Sequence, residues 1–70
     1  MVMLEPKQIR ELRLALGYKA PDFAELMGVS EDTIWRWERG DRHPTYKKMV
    51  KLSELWAKAV EKGLFRAVPA

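Results

Sequence analysis

The sequence predicts an all-α fold, a compact bundle of four or five helices. Glycine and proline fall at Pro6, Gly17, Pro21, Gly28, Gly40, Pro44, Gly63 and Pro69 and leave helix-sized intervals between them. Within those intervals apolar residues recur three and four positions apart, the period of a helix with one buried face. No segment shows the strict apolar–polar alternation of a half-buried strand.

Each helix has its own start and stop signals. Pro6 suits a first turn, where its missing N–H leaves nothing unsatisfied; Ile9, Leu12 and Leu16 follow at helical spacing, and Gly17 stops a helix of about residues 6–16. A second helix is expected over 20–27, with Phe23, Ala24 and Met27 as its apolar face and Gly28 at its end. Ser30 is a good N-cap for a third over 31–39; Glu31 and Asp32 suit the positive end of its dipole, and Gly40 closes it. Thr45 caps a fourth that follows Pro44 and runs over about 45–62. Met49, Leu52, Trp56 and Ala59 carry its stripe, Ser53 marks a candidate break, and Lys58 and Lys62 face its negative end before Gly63. The domain is therefore placed at 1–63, and 64–70 forms an apolar tail too short to fold alone.

Seventy residues make one domain, and a domain of that size buries only roughly 60% of its unfolded-chain surface. There is no cysteine, which removes a disulfide framework and a thiolate metal site. Burial must come from aliphatic and aromatic side chains, among them three Trp and four Met. Met1-Val2-Met3-Leu4-Glu5 does not read as a signal peptide, and no apolar run is long enough to span a bilayer. A cytoplasmic, soluble protein is expected. With one His, no Cys and no Ser–His–acid or metal-ligand arrangement, neither an enzyme nor a cofactor is expected.

The functional signal lies between the second and third helices. Two short helices joined by Gly28-Val29-Ser30 read as a helix-turn-helix. Gly28 can take the positive φ that the turn needs, and Val29 then turns inward as a plug. In this geometry the second helix of the motif projects its outer face into the major groove of duplex DNA. At about 100° per residue, Ile34 and Trp37 share one side, while Asp32, Trp35, Arg36 and Arg39 fall opposite. Arg36 is the candidate for base readout, because its fork can donate two hydrogen bonds to guanine O6 and N7. Asp32 either accepts from a cytosine amino group or orients Arg36 one turn away. Thr33 lies at the flank, within reach of a phosphate or a thymine methyl. A plain solvated face, with an Asp32–Arg36 pair and a Trp35–Arg39 cation–π contact, accounts for the charges. It accounts poorly for an outward Trp35, since an exposed indole marks a contact surface.

The formal net charge is +3, and its placement matters more than its size. Residues 36–51 hold six cations against two anions, a local excess of four, and the rest of the chain is slightly acidic. This is the footprint of a polyanion partner, although on charge alone a solvated lysine-rich face fits equally. Arg39, Arg42, His43, Thr45, Tyr46, Lys47 and Lys48 cluster at the loop and start of the fourth helix, a natural phosphate site. For His43 alone, an ordinary loop histidine beside Pro44 is the preferred reading.

The segments Ile9-Arg10-Glu11-Leu12-Arg13 to Leu16-Gly17, Phe23 to Ser30, Thr33 to Gly40, and Pro44 resemble the Cro/lambda-repressor-like (XRE) helix-turn-helix family over about residues 6–56. Trp37-Glu38-Arg39-Gly40 after Gly28-Val29-Ser30 is the most specific part. The resemblance implies a four- or five-helix bundle that acts as a dimer on a near-palindromic operator. It implies an ion pair of Arg13 with Glu38 that fixes the third helix against the first. It places base reading at Glu31, Asp32, Thr33 and Arg36, with Arg39 near the backbone; Trp35 joins the base-reading set as the outward indole of the same face. The family often has Ser or Thr then Gln where this chain has Lys19 and Ala20, so Lys19 would grip phosphate by charge. Glu31 and Asp32 repel phosphate, which disfavours tight non-specific binding.

The expected function is therefore a sequence-specific, duplex-DNA-binding transcriptional regulator, a repressor that occludes polymerase. The alternative is a protein-interaction module or antitoxin-like partner-binding protein using Trp35, the tail or the fourth helix. A homodimer, at least on DNA, is expected through Trp56, Leu64, Phe65 and Val68, placing two reading helices about 34 Å apart. The alternative for the tail is that it folds back over its own core.

Overall fold

A computed structural model describes residues 3–67. Four helices follow one another: α1 (Pro6–Ala15), α2 (Ala20–Met27), α3 (Glu31–Arg39) and α4 (Tyr46–Glu61), with a 3₁₀ turn at Leu64–Ala67. Among the described residues there is no strand.

The helix starts follow local chemistry. At α1, Pro6 holds the first turn, and the Glu5 N–H donates to Gln8 Oε1 at 2.8 Å. Ser30 Oγ accepts from the Thr33 N–H at 3.2 Å and caps α3. Thr45 Oγ1 accepts from the Lys48 N–H and caps α4. Lys19 stands at the N-cap of α2 and supplies no side-chain cap; Pro21 in the first turn lowers the number of N–H groups that need one. α4 is continuous across Ser53, contrary to the break expected there. The Ser53 hydroxyl donates to Val50 O at 2.9 Å and so stays within the helix.

The core collects one face of every helix. Ile9 and Leu12 of α1, Phe23, Ala24 and Met27 of α2, Ile34 and Trp37 of α3, and Met49, Leu52 and Ala59 of α4 are buried together. Leu4 joins them from before α1, its N–H directed at Met49 Sδ at 3.3 Å. The 3₁₀ turn packs back on α1 and α4, and the Phe65 ring lies 4.3 Å from that of Trp56 at a tilt of 44°. Of the residues expected at a dimer contact, Trp56, Leu64 and Phe65 are thus partly buried against their own domain, and Val68 lies outside the described residues.

Candidate nucleic-acid interface

The α2–α3 corner depends on one glycine. Gly28 takes φ +72°, in the left-handed region that β-carbons resist. The Gly28 N–H donates to Glu25 O at 3.2 Å and the Val29 N–H to Ala24 O at 3.0 Å. This paired closure ends α2 abruptly and lets Ser30 start α3 two residues later. Val29 sits partly buried against the core between the helices.

With the corner fixed, the orientation of α3 follows from what it buries. Ile34 is 0% exposed and Trp37 3%. Their burial turns Glu31, Asp32, Trp35, Arg36 and Arg39 outward, and all five are exposed. Nine residues at about 1.5 Å rise give a ridge roughly 13 Å long, and a helix with its side chains is about 10–12 Å across, a diameter that a groove about 12 Å wide admits.

A second tie fixes α3 against α1. Arg13, on α1, donates from Nε to Glu38 Oε2 at 2.8 Å, from Nη2 to Glu38 Oε1 at 3.2 Å, and from Nη1 to Tyr18 O at 3.1 Å. The same guanidinium lies over the Trp35 ring, 5.4 Å from its centroid. The cation beside Trp35 is therefore Arg13 and not Arg39; Arg39 instead forms an exposed ion pair with Asp41, Nε to Oδ2 at 3.1 Å. Trp35 Nε1 donates to Glu31 Oε2 at 3.2 Å, so the indole is held on both sides while remaining 41% exposed. On the adjacent stripe Arg36 Nε donates to Asp32 Oδ2 at 2.7 Å. Thr33 is partly buried, and its hydroxyl is hydrogen-bonded with Ser30 Oγ at 2.9 Å.

A family model described as helix-turn-helix matches residues 9–55, from within α1 to well into α4. The chain belongs to the XRE-type helix-turn-helix family. It is 31% identical over 63 residues to an HTH-type transcriptional regulatory protein of Pyrococcus abyssi. It is 30% identical over 63 residues to one of Pyrococcus furiosus, and 30% over 59 residues to one of Thermococcus kodakarensis. These alignments cover 84–90% of this chain but only about a fifth of each relative. No solved structure matches the chain.

In this helix-turn-helix domain the residues expected on phosphate differ in their surroundings. Arg42, His43, Thr45, Tyr46 and Lys47 are exposed around the loop after α3 and the start of α4. Val29, Thr33, Trp37, Arg42, His43, Thr45 and Lys48 line a cleft of about 240 Å³ beside the motif. Lys48, however, donates its ammonium to Met27 O at 2.6 Å, and Lys51 donates to Leu26 O at 2.6 Å. Two cations from α4 therefore satisfy the carbonyls at the C-terminus of α2, where the helix dipole is negative. The sequence suggests phosphate for Lys48 and no site for Lys51, and neither long-range cap has a local signature. Lys19 is exposed at the start of α2. Among the described residues no cluster of His, Asp and Glu has metal-binding geometry, and no helix is long and apolar enough to cross a membrane.

Proposed function

We propose that this domain binds duplex DNA sequence-specifically by laying α3 in the major groove, and that it serves in the cytoplasm as a transcriptional repressor. One observation carries the reading: burial of Ile34 and Trp37 leaves Asp32 and Arg36 as the crest of the ridge. Arg36 is the residue whose fork matches guanine; Glu31, Asp32, Thr33 and Trp35 set its surroundings. Lys19, Arg39, Arg42, His43, Thr45, Tyr46 and Lys47 face the backbone and fix register. The role is binding and not catalysis. A homodimer on a near-palindromic operator fits a ridge that covers only a few base pairs, because one half-site alone offers little discrimination.

The test is affinity for duplex DNA across a salt series. Counterion release makes the logarithm of affinity fall linearly with the logarithm of salt, by about 0.9 per phosphate neutralised. That slope supports the reading. Absence of duplex binding at low salt overturns it and favours a protein-partner module, to which the exposed Trp35 would then belong.

A further inference from the structure

We propose that Asp32 is a specificity-determining residue, which positions Arg36 for guanine while weakening the hold on DNA of other sequence. The inference rests on α3 being the reading helix.

A guanidinium has two donating edges, one that includes Nε and one formed by the two terminal nitrogens. Asp32 Oδ2 takes Nε at 2.7 Å, and no other hydrogen bond of the Arg36 side chain occurs among the described residues. The terminal edge is therefore free, and its two N–H groups have the spacing of guanine O6 and N7. An unrestrained arginine on an exposed ridge must lose several side-chain rotations on binding. One already held by a carboxylate a turn away loses fewer. Exposed pairs at this spacing add little to helix stability, so substitution at Asp32 is expected to leave the fold intact.

The neighbouring carboxylate leaves this arrangement undisturbed. Glu31 is engaged by Trp35 Nε1, and that indole is held from the other side by Arg13. The ridge thus carries two parallel i,i+4 ties, Glu31–Trp35 and Asp32–Arg36. The second tie also places a negative charge where phosphates pass, which penalises every duplex that offers Arg36 no guanine in return. Positioning and repulsion act in one direction: both raise the ratio of specific to non-specific affinity.

The experiment compares the wild-type chain with Asp32→Ala, Asp32→Asn and Arg36→Ala, after circular dichroism confirms that each is folded. The probes are the duplex recovered by selection from a randomised pool, its copies with the Arg36-dependent guanine replaced, and a scrambled duplex of equal composition. Asp32→Ala is expected to lower the guanine preference roughly tenfold, the scale of one bidentate contact, and to raise affinity for the scrambled duplex. Asp32→Asn keeps an acceptor for Nε but loses the charge. It is expected to retain most of the guanine preference while binding the scrambled duplex more tightly than wild type. If Asp32→Ala keeps the full preference that Arg36→Ala loses, Asp32 is only a surface ion-pair partner, and this inference falls alone. If wild type selects no duplex, the DNA-reading assignment falls and this inference with it.

Discussion

Arg13 and Glu38 meet between α1 and α3 as a two-point pair, with contacts of 2.8 and 3.2 Å. Both side chains are less than a tenth exposed, and Tyr18 O takes a third N–H of the guanidinium. No buried side-chain nitrogen or oxygen lacks a partner among the described residues. α3 is thus anchored at its end by a satisfied charge pair as well as by apolar packing.

Removing one partner strands the other charge in a nearly dry site. Arg13→Ala and Glu38→Ala are each expected to cost about 3–5 kcal/mol. That approaches the whole stability of so short a domain, on the order of 5 kcal/mol. The double variant Arg13→Met/Glu38→Leu is expected to recover most of the loss, because neither charge remains. Urea titration followed by circular dichroism checks this. Single variants with an unchanged midpoint would show that the pair does not anchor α3.

The corner between α2 and α3 makes a separate demand. Gly28→Ala places a β-carbon at φ +72°, 3.3 Å from Lys48 Nζ. A loss of about 1–2 kcal/mol is expected from the left-handed backbone alone. Gly28→Asn is expected to lose less, since asparagine tolerates this region better. Thermal melts of the two variants give the order. Equal melting of Gly28→Ala and wild type would contradict the turn as described.

Lys47 and Lys48 are neighbours with different surroundings. Lys48→Met is expected to lower thermal stability by about 1 kcal/mol, because the Met27 carbonyl loses its donor. Lys47→Met is expected to leave the melt unchanged and weaken all duplexes alike, with a salt slope reduced by about one. A melt and a salt series on each variant separate the two roles. Interchanged outcomes would refute the division.

The tail tests packing within one chain against pairing between chains. Phe65 packs on Trp56 at 4.3 Å. Phe65→Ala is expected to cost at least about 1 kcal/mol at any protein concentration. A loss in melting temperature that varies with concentration, together with a dimer in sedimentation, would instead make Phe65 part of a subunit contact.

The parts of this molecule legible in the sequence are those set by residues close along the chain. α2 and α3 occupy 20–27 and 31–39, the ranges expected, because Gly28, Ser30 and Gly40 act within a turn of their own position. The inward turn of Ile34 and Trp37 followed from helical period alone. Helix ends carried less information. α1 stops at Ala15, one residue before the expected end, and α4 runs from Tyr46 to Glu61 between the expected terminal residues. Tertiary pairings lay beyond local pattern. Neither Lys48 on Met27 O, 21 positions away, nor Leu4 against Met49, 45 away, has a signature in spacing. The Arg13–Glu38 pair was expected from family resemblance, and nothing in its spacing of 25 points to it. Arg13 rather than Arg39 beside Trp35 is a consequence of that pair, which brings the guanidinium across α3.

The most direct measurement is selection from randomised duplex DNA, run in parallel with wild type and Arg36→Ala. The expected result for wild type is a near-palindrome with guanine in each half-site. Arg36→Ala should lose choice at that position alone and bind the selected site about 1–3 kcal/mol more weakly. Recovery of the same sequence with the same preference by Arg36→Ala would contradict the assignment of the outer face of α3 as the reader of bases.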